Sequence, residues 1–310
     1  MRCRSTEEIV SEVNRIIRDE QECHPEDGAE FFFRGESKNY LSENDSDELG
    51  TRFSCCLDRE RAWIEHEKEM YEEALRMKVS SFREDTTMVE RLARMQHYQL
   101  PTRFADVSFN AFLSTHFACG GGTCNERDKD NGRDGFVRVI KIAKHKMKSF
   151  TSDIIVAISH LPLVNWDKIT PSAPDGLDGL VYEIKKTYPT FAYEHERPDS
   201  GAELRDQLRH VWAFKPIVNS NRLRSQGGAF LAFGCLDGKE SLEPTFALAD
   251  YDDSTAPSYG IKQIGYVQIA ADAKATIRDE LRRFGMSEEI AYPELSSLCG
   301  EIKNRFQKGK

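Results

Sequence analysis

Residues 30–39, EFFFRGESKN, set three consecutive phenylalanines in front of an arginine, a glycine and a glutamate. An apolar run this short, bounded by charge, fits a buried strand better than a helix. A buried strand needs a sheet around it and a core to cover it. At 310 residues the chain is long enough to bury a substantial core, and 39% hydrophobic with 31% charged residues is a globular balance. The end of the strand leaves two readings open. Arg34 is either the surface cap of a core strand, paired with Glu36 or Asp106, or a guanidinium held rigid at a pocket mouth where an anion binds.

Around this strand the periodicity predicts a helix over 5–22, capped by Ser5 or Thr6, with Ile9, Val13, Ile16 and Ile17 on its apolar face. Residues 37–51 read as a polar loop. Helices are expected over 58–78 and 86–97, the second ending before Pro101, and an apolar helix over 107–119. FVRVIKI (136–142) alternates like a strand, the stretch 210–234 ends as one, and YVQIA (266–270) is another. Helices follow over 272–284 and from Tyr292 to Phe306. Strands interspersed with helices predict one α+β unit: a mixed, mainly antiparallel sheet with a helical N-terminal layer (5–22 and 58–78) and C-terminal helices.

The net charge of −9 argues against a protein that coats nucleic acid. No apolar run approaches a membrane span and the N-terminus lacks the apolar core of a signal peptide, so the expectation is a cytoplasmic chain with no membrane partner. The eight cysteines, unevenly placed, read as reduced thiols. His116, Cys119 and Cys124 form one local cluster, but no fourth ligand stands at a metal-site spacing, so no metal is expected.

Four motifs in order resemble those of the FRG domain family, named for its aromatic-Arg-Gly motif. They are FFFRGES (31–37), MQHYQLPTRFAD (95–106), RLRSQGGAFLAFG (222–234) and the ending AKATIRDELRRFGMSEEIAYPELSSL. Gln99 and Gly227 depart from the family pattern, which has Gly and Gln there. The resemblance implies an N-terminal helix (1–28) packed on an FRG domain spanning 29–306, with a short tail at 307–310. The aromatic-Arg-Gly strand is also similar to the first strand of arginine-class ADP-ribosyltransferases, which implies NAD as cofactor and an ADP-ribosyltransferase-like core.

On that resemblance Arg34 grips the NAD pyrophosphate, Gly35 admits the ligand to the main chain, and Glu36 orients the arginine or meets a ribose hydroxyl. His97 contacts ribose or phosphate, or carries a proton, and Tyr98 stacks on nicotinamide or a base. His97 is equally readable as a satisfied structural histidine. Gln226 and Gly228 offer a directional amide and a bare backbone edge, while Glu194 and Glu196, two apart on one strand face, are the candidate catalytic carboxylates. Arg103 and Asp106 read as an internal ion pair bracing their loop. The implied activity is ADP-ribose transfer to a protein or nucleic-acid acceptor, or NAD hydrolysis, in a toxin or a bacteria–phage conflict protein held by a protein regulator. The alternative is a non-catalytic module that senses a nucleotide or binds a protein.

Overall fold

The structure is a computed structural model and describes residues 2–24, 28–39, 55–59, 61–77, 79–98, 100–120, 132–164, 177–191, 200–217, 228–234, 251–256 and 258–291. In chain order the strands are β1 (Arg2–Cys3), β2 (Glu30–Glu36), β3 (Phe104–Ser108), β4 (Gly135–Ile142), β5 (Met147–Ser149), β6 (Val211–Lys215), β7 (Gly228–Phe233) and β8 (Ile261–Ile269). They form one mixed sheet in the order β1-β8-β4-β2-β3-β7-β6-β5. Pairing is parallel only where the two edge strands join, β1 to β8 and β5 to β6, and antiparallel elsewhere. The chain is thus α+β with a mainly antiparallel sheet. Among the described residues no helix is long and apolar enough to cross a membrane.

Strand alternation sends Phe32, Val107, Ile140 and Leu231 to one face of the sheet, where Cys55, Leu57 and Ile64 cover them. The other face carries two separate cores. Helix α1 (Thr6–Cys23) packs Ile9, Val13 and Ile16 on Val139 and Val267, alongside α5 (Ala111–Ala118) and α9 (Lys274–Arg283). Helices α3 (Glu67–Met77), α4 (Met88–His97), α6 (Asp153–His160), α7 (Asp178–Thr187) and α8 (Ser200–Arg209) pack on Phe104, Phe214 and Phe230. The first core belongs to the β1-β8-β4-β2 half of the sheet and the second to the β3-β7-β6-β5 half.

Local chemistry sets the helix starts. The Ser5 hydroxyl accepts from the Glu8 amide to begin α1. Thr87 and Glu90 form a reciprocal capping box that begins α4, two residues later than its periodicity suggests.

Three sequence expectations are corrected. Val107 and Ser108 close strand β3, because the Asn110 side chain accepts from the amides of Phe112 and Leu113 and starts α5 only at Ala111. The helix expected over 58–78 is a 3-10 turn (Cys56–Arg59), α2 (Arg61–Glu65) and α3, separated so that Glu67 turns inward. The strand expected at 266–270 is the end of the nine-residue β8, whose Lys262 and Gln263 hide its beginning from a hydropathy reading. The helix expected from Tyr292 to Phe306 lies outside the described residues.

Candidate functional site: a seam in the sheet at Arg34

β2 pairs with β4 along its whole length, from Glu30 opposite Ile142 to Glu36 opposite Phe136. With β3, its other neighbour, β2 shares a single pair, Phe33 opposite Ser108. The strands separate beyond that pair, and Arg34 closes the opening by donating from Nη1 to the Asp106 carbonyl at 2.9 Å. Arg34 therefore sits at a seam between two half-sheets, each with its own core on one face. Such a junction between packed units is where ligand clefts concentrate.

Arg34, Glu36 and Arg138 form a buried charged row on the face that also bears Phe32. Arg34 stands opposite Arg138 in the β2–β4 register. The Arg34 Nε donates to Glu36 Oε1 at 3.2 Å, and the Arg138 Nε donates to Glu36 Oε2 at 2.8 Å. Arg138 Nη1 continues the row to Gln263 Oε1 on β8 at 2.8 Å. All three charged residues are less than a tenth exposed. Burial alone would pull the Arg34 guanidinium pKa down, but the Glu36 carboxylate, backed by Cys56 and Asp106, holds it above its ordinary value. Both pairings that the sequence offers Arg34 as a structural residue are thus present, one to the Glu36 carboxylate and one to the Asp106 main chain.

Helix α4 supplies the other wall. Gln96 Nε2 donates to Asp106 Oδ2 at 3.1 Å and lies 3.8 Å from the Cys56 sulfur, while its carbonyl accepts from the Thr102 hydroxyl at 2.9 Å. His97 is buried, its ring 5.7 Å from that of Phe230, the residue opposite Asp106. Tyr98, the C-cap of α4, is 63% exposed and leaves a free ring face at the surface. Gly228 opens β7 opposite Ser108, at the closed end of the seam. The structure therefore brings Arg34, Glu36, Asp106, Gln96 and Cys56 together, with His97 and Gly228 close behind. Gln226, Glu194 and Glu196 lie outside the described residues.

Two sequence readings change. Arg103 forms its ion pair with Glu67 instead of Asp106: its Nε and Nη2 meet Glu67 Oε2 at 3.0 and 2.7 Å, and Nη1 reaches the carbonyls of Phe233 and Gly234. The sequence separation of 36 residues put that partner beyond local reading. Gly35 is needed for helix packing. A Cβ there would lie 1.8 Å from the Ser114 carbonyl oxygen and 3.0 Å from the Ala118 nitrogen, so α5 occupies the space above it. Gly35→Ala is expected to lose about 3 kcal/mol of stability by displacing α5. Chemical denaturation checks this, and an unchanged midpoint would remove the packing role.

Sequence reasoning missed Gln96, Cys56 and Arg138. Gln96 stands inside a motif already singled out, and Arg138 is a charge in an otherwise apolar alternation, FVRVIKI; both are visible signals. Nothing local marks Cys56. Among the described residues no group of three His, Cys, Asp or Glu side chains could hold a metal ion. His116 instead meets Glu288 at 3.3 Å, and Cys124 is outside the described residues.

No curated protein and no solved structure matches the chain. The family model of the FRG domain matches residues 29–129, a span that runs from the approach to β2 through the seam, α4, β3 and α5. That match covers the Arg34 seam and the block that walls it, so residues 29–129 of the chain are similar to an FRG domain.

Proposed function

We propose that the seam at Arg34 binds a nucleotide through its diphosphate, that the nucleotide is NAD, and that the chain transfers its ADP-ribose to a macromolecular acceptor or hydrolyses it. The observation that carries this reading is the opening between β2 and β3, with two buried guanidiniums, Arg34 and Arg138, side by side on the Glu36 carboxylate. Paired guanidiniums suit the bidentate recognition of phosphate oxygens. The exposed ring of Tyr98 is suited to stack on a base or on nicotinamide, and His97 lies behind it. When bound, NAD supplies the scissile glycosidic bond. Arg34 and Arg138 hold its charge, and Glu194 or Glu196 is the carboxylate proposed to act at the ribose. The proposed setting is a cytoplasmic toxin of bacteria–phage conflict, with a protein regulator.

A second reading, a nucleotide-sensing or protein-interaction module without turnover, is favoured by one observation. Arg34 is already held by Glu36 and by the Asp106 carbonyl, as a purely structural arginine would be. Incubation of the full chain with NAD labelled in its adenylate, with and without cell lysate, separates the two. The enzyme reading expects label on protein or nucleic acid, or free nicotinamide, with at least a hundredfold loss in Arg34→Lys. NAD binding without either product selects the sensing module.

A further inference from the structure

We propose that the turn Lys144–Lys146 and the short edge strand β5 form a proton-operated latch, in which Lys146 seats as a neutral amine between aromatic rings and is released when it takes up a proton. Lys146 is 1% exposed, and its Nζ is buried with no hydrogen-bond partner among the described residues. It lies 4.3 Å from the centre of the Trp212 ring on β6 and 5.1 Å from that of Tyr259. Ring faces attract an ammonium, but they accept no ordinary hydrogen bond and do not replace its water shell.

The surroundings add to the cost of a charge there. Among the described residues, the charged and titratable groups around the amine come from every packed element. Lys148 on β5 shares the Trp212 ring at 4.7 Å. His145 precedes Lys146 and lies against the Tyr259 ring at 5.0 Å. His210, next to the Trp212 ring edge, donates from Nδ1 to the Ala256 carbonyl at 2.9 Å, and Asp206 on α8 is the one carboxylate in charge range among the described residues. Among the described residues, three groups that are or become cationic thus surround the amine with a single acid, and that acid is largely exposed. Burial, reinforced by Lys148 and only partly opposed by Asp206, brings the Lys146 pKa from 10.5 down to about 7. The His145 ring is likewise pushed below its usual value, by burial first and then by Lys146 and Lys148.

The main chain makes the seat narrow. The Ala143 amide donates to the Gly260 carbonyl, and Gly260 has a φ of +69°. A Cβ on Gly260 would lie 2.9 Å from Lys146 Cγ and 2.8 Å from His145 Nε2, so the two segments interlock without spare room. What the latch holds is β5, three residues paired in parallel with Met147 opposite Ala213. Release leaves β6 as the sheet edge with unpaired main-chain groups.

The sign follows from linkage. Between pH 10.5 and 7 the released amine binds more protons than the seated one, so opening is favoured about tenfold for each unit the pH falls. Below about 7 both forms carry the proton and this dependence levels off. The test is amide hydrogen exchange of the full chain from pH 7 to 9, corrected for intrinsic exchange, read in peptides covering 143–150 and 211–215. The latch predicts an opening constant about 50-fold larger at pH 7 than at pH 9, because the seated amine is already half protonated at pH 7, and no such dependence in Lys146→Met. An opening constant that does not change with pH in the native chain, or that changes equally in the variant, overturns it. Lysine ε-carbon NMR on the native chain gives an independent reading. A Lys146 titration midpoint near 7 supports the latch, and one near 10.5 refutes it.

Discussion

Replacing Arg103 with methionine is expected to destabilise the fold by about 3–5 kcal/mol, a fall in melting temperature of roughly 10 °C for a chain of this size. Arg103 is the largest fully buried side chain among the described residues. It ties three elements together: Glu67 at the start of α3, the end of β7 through the carbonyls of Phe233 and Gly234, and its own position before β3. The Phe233 amide returns a bond to the Arg103 carbonyl at 3.0 Å. Methionine fills much of the volume but takes the Arg103 guanidinium away from the Glu67 carboxylate, which is 4% exposed. The cost comes from breaking the pair. The double variant Arg103→Met with Glu67→Met should therefore recover most of the loss, since an apolar pair of similar volume removes both buried charges. Urea denaturation of the two single variants and the double variant checks this. Equal loss in the double variant and in Arg103→Met would mean that the carbonyl contacts, not the ion pair, are what matter.

Glu20→Gln should cost about 3 kcal/mol at neutral pH. Lys141 and Lys262 stand opposite each other on β4 and β8, each 1% exposed. Both ammonium groups converge on Glu20 Oε1, at 2.7 and 2.8 Å, and both lie over the Tyr251 ring. The carboxylate at the end of α1 thus neutralises charge placed inside the sheet, which makes α1 an integral part of the fold. Burial pushes the Glu20 carboxyl up, but the hydrogen bonds from Lys141 and Lys262 outweigh it and leave its pKa below the ordinary 4.5. A depressed carboxyl contributes stability that is present above about pH 4.5 and is lost as the pH falls through its lower folded value. The native chain should accordingly lose stability on acidification in that range, and Glu20→Gln should lose correspondingly less. Denaturation midpoints at pH 7 and pH 3.5 measure both effects, and equal midpoints at pH 7 would refute the role of Glu20.

These two residues mark what the sequence reveals and what it withholds. The β2 strand and α1 with its Ser5 cap are legible because hydrophobic period and capping chemistry act within a few residues. Arg103, Glu67, Glu20 and Lys262 carry charge into the core, and their partners lie from 36 to more than 200 positions away. A local reading therefore gives Arg103 the nearest acid, Asp106, and assigns no partner to the lysines of β4 and β8. The candidate site divides in the same way. Arg34 and Glu36 are two apart on one strand and legible as a pair. Arg138 and Cys56 reach the site only through β2–β4 pairing and the turn before α2, and the seam exists only because β3 leaves β2 after one pair. At Gly35 the sequence reading expects a ligand against the main chain, whereas the group that lies there in the fold is the backbone of α5, which no local pattern announces.

The measurement that tests the account most directly is titration calorimetry of NAD into the full chain and into Arg34→Lys, with melting curves for both. Lysine keeps the charge but loses the planar fork. The account predicts saturable NAD binding to the native chain and at least tenfold weaker binding to the variant, with the two melting within a few degrees of each other. Absence of binding to the native chain, or equal affinity in the variant, would contradict it and leave Arg34 as the structural clasp of the β2–β3 seam.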